Sequence, residues 1–177
     1  KQSYSDIDQH QLRRGIGYVT QETVVFNDTI RNNVTLWSDN GSDAALRSVA
    51  AKAYIQNFIE GLPEDYDTVL GDDGLNVSGG QRQRVSIARE LYKDARVLIF
   101  DEATSSLDSK SEREIQRNID DLRREKTVVV IAHRLSTVKN ADTIVVLKDG
   151  RLVEQGSYDE LYSLGGEFTS MVDQQSL

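Results

Sequence analysis

NVSGGQRQRVSIARELYKDARVLIFDEATSSLD, residues 76–108, decides the fold of this chain. Its first part, Ser78-Gly79-Gly80-Gln81, opens a helix that carries Val85, Ala88, Leu91 and Tyr92 on its inner face. Its second part, Val97 to Phe100, is a continuous apolar run, the pattern of a strand covered on both faces, and it ends in the adjacent acids Asp101 and Glu102. Glycines at a helix start let backbone N–H groups approach an anion closely, and the helix N-terminus adds about half a positive charge. In open α/β sheets, ligands bind outside the carboxyl ends of the strands, where Asp101 and Glu102 are delivered. One part suits a phosphate and the other a metal-bound nucleotide. Each also has an ordinary use: S-G-G alone suits a plain capped helix start, and two acids can simply end a strand in a solvated loop. Their order and spacing together favour the nucleotide.

Upstream, Ile16 to Thr20 (IGYVT) predicts a short strand ending at Gln21, and Asp28 is a candidate cap for a helix through TIRNNV. A longer helix starts at Ser42, with Leu46, Val49, Ala50, Ala53 and Phe58 at helical spacing and Gly61 and Pro63 to end it. Residues 65–76 are acidic and glycine-punctuated, which predicts a loop. Downstream, Ser109 is the predicted cap of a charged helix whose Ile115, Ile119 and Leu122 face inward, and Val128 to Ala132 predicts a second fully covered strand. TIVVLKDGRLVEQ predicts two strands around Asp149-Gly150, and Ser157 with Glu160 makes a capping box for a further helix. Strands alternating with helices predict an α/β fold built on a parallel sheet.

A chain of 177 residues is long enough to bury one core, and 38% hydrophobic with 28% charged residues is ordinary for a globular protein. No apolar run approaches the roughly 18 residues a bilayer span needs, and KQSYSDIDQHQLRR has no apolar stretch of the kind a signal peptide carries. The absence of cysteine excludes disulfides and thiolate metal sites. A formal charge of −8 argues against a nucleic-acid or anionic-membrane surface. His10 lacks the context of a functional histidine and is predicted to be solvated.

Placed at a strand end, Asp101 suits Mg²⁺, held in part through water, and Glu102 suits a group that polarises an attacking water. The whole segment resembles the signature and Walker B region of the ATP-binding-cassette (ABC) ATPases, whose usual signature reads LSGGQ. Residues 105–108, SSLD, resemble that family's D-loop, Gln21 in GYVTQ resembles its Q-loop, and His133 after VVVIA resembles its switch histidine. The resemblance covers nearly the whole chain. It implies a partial P-loop NTPase (RecA-like) parallel sheet with an inserted helical signature lobe, residues 22–92, and a core made of residues 1–21 and 93–177. It implies that Glu102 and His133 are catalytic, that Gln21 and Asp101 hold Mg²⁺, and that Ser78, Gly79, Gly80, Gln81 and Asp108 meet ATP. The signature residues would act on an ATP held mainly by a second cassette facing head to tail.

FNDTIRNNV and YDTVLGDDG resemble exporter-type cassettes, which commonly carry TIxENI and a G-E-x-G loop that touches transmembrane coupling helices. Asn32 stands where Glu is usual, Asp72 stands for the loop's Glu, and Val77 replaces the signature leucine. Trp37 is expected to pack within the helical lobe. A GxxxxGK[ST] phosphate loop occurs nowhere in the 177 residues. The resemblance therefore implies the carboxyl-terminal piece of a cassette, without its central Walker A strand. Alone, this piece is expected to bind ATP weakly, not to turn it over, and to expose apolar surface and a strand edge. The expected setting is the cytoplasmic face of the cell membrane, with the membrane reached only through a transmembrane domain and no nucleic-acid partner. Two alternatives compete with this reading. Soluble cassette ATPases of DNA repair or chromosome maintenance carry a coiled-coil insertion for which the interval from Gln21 to Val77 is too short. A non-enzymatic regulatory cassette has no need of Glu102 and His133.

Overall fold

The computed structural model describes residues 8–38, 41–72, 75–104, 107–132 and 134–175. The chain divides into two compact units, residues 1–131 and 132–177. In the first, strands β1 (Ile16–Val19), β2 (Val97–Asp101) and β3 (Thr127–Ile131) form a parallel sheet in the order β1-β2-β3. Helix α1 (Gln9–Arg14), capped by Asp8, leads into β1. The connection from β1 to β2 holds α2 (Ile30–Thr35), α3 (Asp43–Lys52), α4 (Gln56–Glu60) and α5 (Gly79–Tyr92), and α6 (Ser109–Leu122) connects β2 to β3. This is the expected α/β architecture.

Helix α5 lies along β1 in the opposite direction. Gln83 Nε2 donates to the Thr20 carbonyl at 3.1 Å, whereas Glu90, farther along the helix, accepts from the Tyr18 N–H at 3.2 Å. Gly17 permits this approach, because a Cβ there would lie 2.7 Å from Leu98 Cδ2 and 3.4 Å from the Glu90 carbonyl. The helix start at Ser78 consequently projects beyond the carboxyl ends of the strands. Val19, Leu98 and Phe100 face a core shared with α2 to α6 that includes Ile30, Leu46, Ile59, Val85, Ala88 and Ile115. The opposite sheet face carries Tyr18, Val129 and Ile131, each more than two-fifths exposed. The expectation that β3 is covered on both faces therefore does not hold in this structure. A run of Val and Ile reads alike whether one face or both are buried.

Several local expectations are corrected. Thr29 caps α2, its hydroxyl accepting from the Asn32 N–H. Asp28 instead accepts from the Thr29 N–H, Asn32 Nδ2 and Trp37 Nε1. Trp37 packs on Phe26 yet stays half-exposed at the surface. The single helix expected from Ser42 is two, because α3 ends in a Schellman motif: Tyr54 N–H bonds the Ala51 carbonyl, and Ile55 N–H bonds the Ala50 carbonyl. Tyr54 takes the left-handed conformation, φ 56°, usually given to glycine, and so gave no signal of a stop. The cap of α6 is Asp108, not Ser109. Within residues 65–76, Asp65–Asp67 form a 3₁₀ turn.

The second unit has its own small core of Ile144, Val146, Leu161 and Phe168. β4 (Ile144–Lys148) and β5 (Arg151–Gly156) make the predicted hairpin, with Asp149 at φ 50° and Gly150 at φ 72° as a type I′ turn requires. The predicted capping box of Ser157 and Glu160 starts α7 (Tyr158–Leu164). α8 (Glu167–Gln175) follows, the N–H groups of Glu167 and Phe168 donating to the Glu154 carboxylate. Among the described residues no helix is long and apolar enough to cross a membrane.

Candidate functional site

Parallel pairing brings the ends of β1, β2 and β3 to one edge. Asp101 is the last residue of β2, and its Oδ2 accepts the Tyr18 hydroxyl at 2.6 Å. That bond, followed by burial and the carboxylate charge, holds the Tyr18 phenol above its ordinary pKa. Glu102 follows with φ 50°, its N–H donating to the Ile131 carbonyl at 3.0 Å. A left-handed glutamate costs about 1 kcal/mol, and strain of this kind gathers at functional sites. Gln21 lies exposed just past β1 on the same edge. His133, past the end of β3, lies outside the described residues, as do Ser105 and Ser106 of the SSLD segment.

The glycine turn of α5 is held by a capping box. Ser78 N–H donates to Gln81 Oε1 at 2.7 Å, and Ser78 Oγ accepts from the Gln81 N–H at 3.3 Å. Arg82 Nη1 reaches back to the Val77 carbonyl at 2.6 Å, and the Val77 side chain is buried in the core. Gly79 faces open space: a Cβ there would meet nothing nearer than Arg82 Nη2 at 4.0 Å. Sequence-predicted Ser78, Gly79, Gly80 and Gln81 thus form one turn, exposed at Ser78 and Gly79 and half-buried at Gly80 and Gln81, on the helix whose Gln83 touches Thr20, the residue before Gln21.

Asp108 is exposed and caps α6. Its Oδ1 accepts from the N–H groups of Lys110 and Ser111, and its Oδ2 accepts the Ser111 hydroxyl at 2.6 Å. The Ser111 hydroxyl, then the Ser111 N–H, draws its carboxyl down to about 2.

Sequence reasoning missed two arginines of α5. Arg89 is buried, donating to the Asn33 carbonyl at 2.7 Å, the Val24 carbonyl at 3.0 Å and Asn33 Oδ1 at 3.3 Å, with its guanidinium over the Phe26 ring. Arg84 donates to the carbonyls of Gly80 and Tyr54 and to Ser111 Oγ. Burial lowers the pKa of both. Nothing local in RQRVSIAR sets these side chains apart; their partners at Asn33, Val24, Tyr54 and Ser111, distant in sequence, give them away.

The residues present fit Mg²⁺. Mg²⁺ is held by one or two carboxylates plus phosphate oxygens and water, and Asp101 offers a hard, half-buried oxygen at the sheet edge. Among the described residues no group of three or more His, Cys, Asp or Glu could hold a metal by itself.

Comparison with known proteins agrees with this geometry. The family model for ABC transporters matches residues 1–105. The ATP-dependent lipid A-core flippase of Desulfotalea psychrophila is 51% identical over 96% of this chain and 30% of its own length. The heterocyst differentiation ATP-binding protein HepA of Nostoc sp. is 51% identical over 89% of this chain and 26% of its own. The solved structure of a bacterial Atm1-family ABC exporter with ATP bound superposes with a TM-score of 0.93 at 43% identity, covering 99% of this chain and 31% of that one. The chain therefore spans less than a third of the length of each of these relatives. On fold, motif order and similarity alike, it belongs to the ABC transporter family.

Proposed function

We infer that this chain is part of the ATP-hydrolysing engine of an ABC exporter, which couples ATP hydrolysis to movement of a substrate across a membrane. The observation that carries this reading is the end of β2, where Asp101 and Glu102 emerge at the edge of a parallel sheet with Glu102 held in a left-handed conformation. Residues 22–92 then form the helical signature subdomain, inserted in a RecA-like core of residues 1–21 and 93–177.

In this reading Glu102 accepts a proton from the attacking water, and His133 donates an imidazole N–H to the γ-phosphate. Asp101 and Gln21 would hold Mg²⁺, which when bound would neutralise charge on the phosphates. The Ser78 turn, with the amides of Gly79 and Gly80 and the side chain of Gln81, meets the γ-phosphate of an ATP held by a second cassette, and Asp108 lies at the same interface. Head-to-tail pairing of two cassettes belongs to the same reading, since the nucleotide site of one is completed by the Ser78 turn of the other. Coupling helices of a transmembrane domain are proposed to dock beside the exposed Phe26, Leu36 and Trp37, where Arg31, Trp37, Leu46 and Tyr92 border a cavity of about 410 Å³. The engine would lie on the cytoplasmic face of the membrane.

Glu102→Gln in the exporter that carries this chain tests the reading. The variant is expected to lower kcat by about 10²–10⁴-fold while MgATP binding, followed by calorimetry, is retained. Turnover at the original rate would remove Glu102 from its role.

A further inference from the structure

We propose that Arg84 is a positioning residue that ties the glycine turn of α5 to the Asp108 cap of α6, so that the two loops assigned to nucleotide move as one; this rests on the function inferred above. The bonds form a continuous relay. Arg84 Nε–H donates to the Gly80 carbonyl at 3.2 Å, and Nη1 donates to Ser111 Oγ at 3.1 Å. Ser111 Oγ passes its own proton toward Asp108 Oδ2 at 2.6 Å. A hydroxyl has one proton to give, so the donor from Arg84 and the acceptor on Asp108 fix its direction. Nη1 also reaches the Tyr54 carbonyl at 3.3 Å, in the left-handed turn between α3 and α4.

Three segments remote in sequence thus share one guanidinium. Its planar fork presents donors at fixed angles, which the single ammonium of lysine cannot reproduce. Placing a charge where burial disfavours it is weak support for stability, because apolar replacements are often neutral or better. The arrangement is more readily explained by what it aligns. The Gly80 carbonyl belongs to the peptide whose N–H is that of Gln81, so its orientation sets where the amides of the first turn point. Asp108, at the other end, is held by the same hydroxyl that Arg84 grips. A shift of Asp108 is passed to the Ser78 turn through three hydrogen bonds.

The test is a double-mutant cycle in the exporter that carries this chain, using Arg84→Gln, Ser111→Ala and the pair, with Glu102→Gln as a control. Each single variant is expected to lower kcat roughly tenfold while KM for ATP stays within about twofold, and the pair to be no slower than Arg84→Gln alone, because residues of one network do not add. Arg84→Lys is expected not to restore the rate. Ser111→Ala, which loosens the Asp108 cap, is expected to lower the Tm modestly, with its kcat deficit persisting at temperatures well below that Tm. Effects that multiply in the pair, full rescue by lysine, or a kcat deficit that vanishes well below the Tm would overturn the proposal. With turnover abolished in Glu102→Gln, such a result rejects the Arg84 relay alone. Turnover that survives Glu102→Gln rejects the functional reading and the relay with it.

Discussion

At Asp108, one carboxylate serves two ends. It satisfies N–H groups that α6 leaves without a helical partner, and it anchors the hydroxyl that Arg84 holds. Its folded pKa of about 2 lies below the ordinary 3.8. The stabilisation is therefore complete above the unfolded value and is lost as pH falls through about 2. Ser111→Ala removes the largest cause of the depression, so the Asp108 pKa should move up toward 3.8, measured by carboxyl-carbon NMR titration. A pKa left near 2 would show that the backbone N–H groups alone hold it. Asp28 is depressed for a related reason, first through Asn32 Nδ2 and then through the Thr29 N–H and Trp37. Asn32 stands where the family usually has Glu. A donor amide suits the neighbouring carboxylate, and a second carboxylate at that place would repel it.

At the scale of elements, α5 is the member on which the first unit turns. Its start presents the glycine turn, its middle reaches Thr20 through Gln83, and its last turn holds the segment after Gln21 through Arg89. Arg89→Met should leave the carbonyls of Val24 and Asn33 without their donor, costing about 3 kcal/mol in urea denaturation. Hydrogen exchange should quicken at the Phe26 amide, which now donates to Asn33 Oδ1. Unchanged protection there would mean that Asn33 holds the segment unaided. Elements set by local chemistry were legible in the sequence: β2 and its acids, the Ser78 and Ser157 capping boxes, and the Asp149-Gly150 hairpin. What escaped was decided by partners elsewhere. The Schellman stop at Tyr54 uses no glycine, and its carbonyl is taken by Arg84 from another helix. Asp and Ser or Thr in succession offer two adjacent caps, and only packing chose Thr29 over Asp28 and Asp108 over Ser109. Of the candidate site, the residue types and their order were readable, whereas the side chains that brace them were not.

For the whole molecule, the two units differ in how much they bury. Residues 1–131 close a core running from Val19 to Leu122, while residues 132–177 close one around four buried side chains. At about 0.1 kcal/mol per residue, a unit as short as the second holds only a few kcal/mol. Phe168 carries much of it. Its ring is buried edge-on to Tyr158 at 5.2 Å, its N–H donates to Glu154, and the adjacent Glu167 pairs with Lys148 of the hairpin. Phe168→Ala should cost about 3–5 kcal/mol, as much as the unit has to give. The expected outcome is loss of amide protection across β4, β5, α7 and α8, while amides of β2 and α5 stay protected, because the first core contains none of the affected side chains. Hydrogen exchange followed by NMR distinguishes this from a single cooperative fold. If protection in β2 and α5 fell together with that in β4 and β5, the stability of the first unit would depend on the second.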